Sequence, residues 1–142
     1  MQMTDISAEE KKKLVESARL ARINAYAPYS GYQVGAALLT TKGNLYTGCN
    51  VENAALSITL HAEMSAIAAA VSAGEREFLA LAVVTAGARP AFPCALCRQA
   101  LIEFNRGEML IIAAGRAGHA EETTLSSLYP FPFSPCHLQE DK

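Results

Sequence analysis

The 142-residue sequence is short of charge: Asp, Glu, Lys and Arg make up 18% of it, and the formal net charge is -2. A nucleic-acid-binding surface ordinarily shows as a basic excess. None is present, so the expected partner is a small molecule and not RNA or DNA. The one basic run, Lys11, Lys12 and Lys13, follows Glu9 and Glu10 and reads as the solvated face of a helix. No stretch reaches the roughly 20 apolar residues of a membrane span. The polar start (Gln2, Thr4, Asp5) lacks a charged-then-apolar secretory pattern. A cytoplasmic protein without membrane contact is therefore expected. Linkers, repeats and low-complexity tracts are also missing, which leaves one domain over residues 1–142 as the simplest organisation.

Hydrophobic residues make up 51%, enough for a real core and too many for a disordered chain. The four cysteines (Cys49, Cys94, Cys97, Cys136) are expected, in a reducing compartment, to be thiols or metal ligands and not disulfides. Ser7 followed by Glu10 is a capping-box pattern, and the apolar spacing beyond it predicts a helix over about 7–25. Tyr32–Thr40 and Leu45–Val51 read as strands around the turn Lys42-Gly43-Asn44. An Ala- and Met-rich run from His61 to Ala73 predicts a helix closed by Gly74. Leu79–Thr85 and Met109–Ala114 read as buried strands on either side of a helix over Cys94–Asn105. Beyond Gly118 the pattern weakens to a short helix near Thr124–Leu128 and an irregular, proline-containing tail from about 129. Strands and helices in this order predict an α/β protein with one mixed sheet covered by helices.

Two short motifs carry chemistry. Pro93-Cys94-Ala95-Leu96-Cys97 sets two thiols at a helix start, where backbone amides favour thiolate, the form that binds metal. Alone it fits a redox dithiol, half of a structural zinc site, or two buried cysteines. His61-Ala62-Glu63 also begins a helix; separately, its histidine would be a cap and its glutamate a partner of the helix dipole. Together, His61, Cys94 and Cys97 make three ligands, and catalytic zinc keeps its fourth position for water. Glu63, two positions from a ligand, suits general acid–base work. H-x-E followed by P-C-x-x-C is the signature of zinc-dependent nucleobase deaminases.

With these motifs the sequence resembles the small homotetrameric cytidine deaminases, from about Tyr26 to Phe133. Tyr29 to Leu38 is similar to the family's first strand. Gly48-Cys49-Asn50-Val51-Glu52-Asn53-Ala54 is similar to its ribose-binding segment. The resemblance implies a three-layer α/β/α sandwich around a five-stranded sheet, one zinc ion per subunit, and hydrolysis of cytidine or deoxycytidine to the uridine and ammonia in pyrimidine salvage. It implies Glu63 as the proton carrier, Asn50 and Glu52 as ribose contacts, and Tyr32 as an aromatic beside base and sugar. The Ala62 backbone lies near the substrate in this scheme. Phe133 is implied as an aromatic donated across a subunit interface, so that active sites are shared within a homotetramer.

The sequence departs from the family in ways that concern charge and substrate. Most small members have a Cys-Ala-Glu-Arg run where this chain has His61-Ala62-Glu63-Met64. A third thiolate adds one negative charge that the arginine offsets; with a neutral imidazole that cation is less needed, and unpaired it would be costly to bury. Arg98 remains available to pair with a thiolate. Leu56 and the pair Ala95-Leu96 replace a tyrosine and a smaller Gly-Ala pair, which suggests a pocket reshaped for C4-substituted cytidines. A deaminase of another nucleoside such as blasticidin S, or a structural zinc module with a fourth ligand from His119, Cys136 or His137, are the rival readings.

Overall fold

Ser7 starts the first helix as its spacing to Glu10 predicts. The Ser7 Oγ accepts from the Glu10 amide (3.1 Å), and the Ser7 amide donates to the Glu10 carboxylate (2.8 Å). The computed structural model describes residues 2–105 and 108–139; the last three residues of the expected tail lie outside them. Its elements are α1 (Ala8–Arg22), β1 (Val34–Thr40), β2 (Leu45–Cys49), α2 (Ala62–Ser72), β3 (Phe78–Thr85), α3 (Ala95–Ile102), β4 (Leu110–Ala114), β5 (Ala120–Thr124) and α4 (Leu125–Leu128). Short 3-10 turns occur at Met3–Asp5, Leu56–Ile58 and Pro135–Leu138.

The five strands run in the order β2-β1-β3-β4-β5. Only β3 and β4 pair in parallel; α3 crosses between them, and the other neighbours are antiparallel. β5 is the one strand that residue patterning did not predict. Its sequence, Ala-Glu-Glu-Thr-Thr, is polar because it sits exposed at the sheet edge, where no helix demands an apolar face.

The central strands are buried on both faces. On β1, Ala37 and Leu39 pack with Leu14 and Ala18 of α1, while Ala36 and Leu38 pack with α2 and α3. The sheet is therefore the middle of three layers, with α1 on one side and α2, α3 and α4 on the other. Gly48 sets the approach of α2 to the sheet edge, since a Cβ there would overlap the backbone of Ala62 and Ala66. That contact seats the first turn of α2 directly against β2.

Candidate active site

Two helix starts and three strand ends converge at one edge of the sheet. Val34 at the start of β1 pairs with Thr85 at the end of β3, and Gly35 pairs with Cys49 at the end of β2. Beyond β2 the chain stays pinned. Val51 bridges to Tyr26 and to Leu60, with both Val51–Leu60 backbone bonds at 2.9 Å. This places Asn50 and Glu52 beside the residue that follows Leu60, which is His61.

His61 occupies the N-cap position of α2 in an extended conformation, and its ring makes no capping bond. Cys94 is the N-cap of α3, also without a side-chain cap, and Cys97 lies in the first turn of that helix. Both side chains are thus free for one another: the His61 Nδ1 lies 3.3 Å from each of the Cys94 and Cys97 Sγ atoms. The three ligand atoms all fall within 4.8 Å of one another. Tetrahedral zinc, at its usual bond lengths to nitrogen and sulfur, holds such atoms about 3.6 Å apart. Among the described residues, none of His119, Cys136 and His137 joins the group. Cys136 and His137 contact Ser134 instead, and His119 lies beside Glu121.

The Glu63 side chain is buried (5% exposed) in the first turn of α2. Burial, then the Glu63 carboxylate, then Cys94 push the Cys97 thiol up from its ordinary range. A dication among these three donors inverts that balance, making thiolate the favoured state beside a carboxylate. Two sulfurs, an imidazole nitrogen and an adjoining carboxylate outside the ligand set fit zinc with one position left open.

The cleft over these residues measures about 310 Å³ and is lined by His61, Ala62, Glu63 and Cys94, by Tyr32, Asn50 and Glu52, and by Ser30, Val34, Thr59, Val83, Thr85, Ala91 and Phe92. Eight of the nine residues predicted for the site are thus accounted for here, because Cys97 lies just below the cleft with its two fellow ligands. Asn50 is buried. Its Nδ2 donates to the Tyr32 carbonyl (2.8 Å) and its Oδ1 accepts from the Val34 amide (2.9 Å). One amide hydrogen and one lone pair remain for a ligand. Glu52 accepts from the Tyr29 amide (2.9 Å), the Ser30 amide (3.0 Å) and the Ser30 hydroxyl. These bonds, the Ser30 hydroxyl foremost, hold its carboxyl below the usual carboxylate value.

Phe133 does not line this cleft; its ring stacks on His137 at 5.4 Å. Leu56 and Leu96 do not reshape the cleft as expected. Both are exposed and outside its walls, Leu96 because a residue between the two ligand positions on α3 turns its side chain away from them. Arg98 does not pair with a thiolate. Its Nε donates to the Pro93 carbonyl (2.7 Å) and its Nη1 to the Leu128 carbonyl (3.0 Å). Sequence reasoning missed Thr85 and Phe92. Thr85 ends a strand whose run looked wholly structural, and its buried hydroxyl has no hydrogen-bond partner among the described residues.

Residues 8–114 match the sequence model of the cytidine and deoxycytidylate deaminase zinc-binding region. The chain is 47% identical over 123 residues to a cytidine deaminase of Sporosarcina psychrophila, covering 87% of this chain and 90% of that one. It is 39% identical over 125 residues to a cytidine deaminase of Halalkalibacterium halodurans, covering 88% and 95%. Its fold is similar to the crystal structure of cytidine deaminase from Burkholderia pseudomallei, with a TM-score of 0.82, 40% identity, and coverage of 86% and 98%.

Proposed function

The chain belongs to the cytidine and deoxycytidylate deaminase zinc-binding family, and from that premise we propose that it hydrolyses free cytidine and deoxycytidine to the uridine and ammonia. The observation that carries this reading is the set of three ligands with the buried Glu63 beside them, opening into a cleft of nucleoside size. His61, Cys94 and Cys97 would hold the metal. When bound, zinc supplies the Lewis acidity that lets a water ionise near neutral pH.

Glu63 takes the proton of the attacking water and delivers it to N3 of the pyrimidine, which makes C4 electrophilic. It then carries the second proton to the exocyclic amine, the C4–N bond breaks, and ammonia departs. Burial of Glu63 keeps bulk water from intercepting these transfers. Asn50, through its remaining amide hydrogen, and Glu52, as an ionised acceptor, bond the ribose hydroxyls; Tyr32 packs on the sugar and base, and the Ala62 backbone borders the ring. Phe133 serves a neighbouring subunit's cleft. In this reading the 142 residues form one domain of a cytoplasmic homotetramer in pyrimidine salvage. Support comes from exposed Val51, Leu56, Ile58, Leu60, Leu96 and Phe131, apolar surface of the kind a subunit interface covers. The free cysteines suit a reducing compartment.

The test is formation of the 4-oxo product from cytidine, deoxycytidine, an N4-substituted cytidine (which releases its substituted amine) and blasticidin S, with zinc measured on the same sample. Turnover of the first two, at about one zinc per chain, is expected. Turnover confined to either of the last two overturns the substrate assignment. Glu63→Gln should keep its zinc and lose about 10²–10⁴-fold in kcat.

A further inference from the structure

Cys94 has an unusual burden for a helix N-cap. Its side chain is turned to the His61 ring (3.3 Å) and makes no capping bond, so it does not satisfy the orphan amides of α3 or anchor the chain entering the helix. Something else must hold the backbone on which the ligand rides. Arg98 makes that connection on both sides of Cys94. Its backbone amide donates to the Cys94 carbonyl (3.0 Å), and its side-chain Nε reaches back to the Pro93 carbonyl (2.7 Å). The other arm of the guanidinium, Nη1, donates to the Leu128 carbonyl at the end of α4 (3.0 Å). The next residue, Gln99, extends the same attachment. Its Nε2 donates to the Phe133 carbonyl (2.7 Å), and its Oε1 accepts from the Tyr129 hydroxyl (2.7 Å).

We propose that Arg98 is a positioning residue for the zinc ligand Cys94, locking the Pro93–Cys94 backbone to the end of α4 through its forked guanidinium. The role is geometric and not one of neutralising thiolates, since the two arms go to neutral carbonyls. A planar fork can hold two carbonyls at once in fixed relation, which a lysine ammonium on a flexible stem cannot. Residues that orient a metal ligand from outside the coordination shell ordinarily change metal affinity by about 10–100-fold when removed.

The inference rests on His61, Cys94 and Cys97 being the zinc ligands, and the experiment separates the two. Zinc affinity of the full-length holoprotein is measured by chelator competition, and the visible spectrum of the cobalt-substituted protein reports ligand geometry. Cys94→Ser tests the ligand assignment: unchanged affinity there overturns the zinc site itself. Arg98→Met tests the positioning role. Its zinc affinity is expected to fall about 10–100-fold, with altered cobalt bands, while circular dichroism stays native. Arg98→Lys keeps the positive charge and loses the fork, and covers the case in which the methionine variant fails to fold. It is expected to lose affinity as well. Native zinc affinity and native cobalt bands in Arg98→Lys, or in a folded Arg98→Met, would overturn the proposal.

Discussion

Met64 packs against the apolar cluster that α2 shares with α3 and the sheet. A guanidinium at this half-buried position would be partly dehydrated, which a compensating negative charge offsets. A third thiolate at position 61 would provide one; the neutral imidazole of His61 does not. On these charge grounds, which the following variants test, His61 and Met64 are expected to act as a matched pair. Replacing one without the other should therefore be worse than replacing both. His61→Cys alone is expected to lower kcat/KM about tenfold or more, and the addition of Met64→Arg to recover part of that loss. Steady-state kinetics at matched zinc content decide it. Native activity in the single variant would remove the charge argument. At this scale the sequence was legible where a residue's chemistry is rare and its spacing short: His61, Cys94 and Cys97, grouped from their motifs, do come together, and Glu63 is buried in the same cleft. Arg98 was misread, because its partners are backbone carbonyls and one of them, at Leu128, is 30 positions away.

Among the elements, the β1–β2 hairpin is tied to the end of α2 by one buried carboxylate. Glu75 accepts from the Asn44 Nδ2 (2.6 Å) and faces Lys42 across 3.5 Å. Asn44 first, and then Lys42 against the opposing effect of burial, hold the Glu75 carboxyl below its ordinary value of 4.5. A carboxyl lowered by folding stabilises the native state above its unfolded value, and that contribution is lost as pH falls through the lowered range. Glu75→Gln should therefore lower the thermal midpoint at pH 7, and the gap from the native protein should narrow as pH falls below the ordinary carboxyl value of 4.5. A gap independent of pH would mean that packing, and not charge, ties the hairpin to the helix.

Helix α1, the hairpin and the buried strands were readable because capping and apolar period act locally. β5 was not, since an exposed edge strand carries no apolar face, and its pairing with β4 is what makes Ala120–Thr124 extended. The position of Asn50 and Glu52 was equally beyond local reading. Val51 must first bridge to Tyr26 and Leu60, and those contacts form only in the folded chain.

Taken as a whole molecule, a single chain has a cleft lined by His61, Glu63, Cys94, Asn50 and Glu52, yet Phe133 lies outside it, 54% exposed, on a tail fixed to α3 by Gln99. If that ring covers the base in a neighbouring subunit, the two halves of each site can be supplied by different chains. The Glu63→Ala and Phe133→Ala variants should then both be impaired, the first through kcat and the second mainly through KM. When the two are unfolded and refolded together, a site built from the Glu63 of one parent and the Phe133 of the other is native in every residue. Random assembly of a cyclic or dihedral oligomer puts about a quarter of the sites in that arrangement. Activity per chain at low substrate should therefore rise towards about a quarter of native, well above the mean of the two parents, if Phe133→Ala alone costs tenfold or more. A mixture that shows only the parental mean would place Phe133 in the cleft of its own chain, or in no cleft at all.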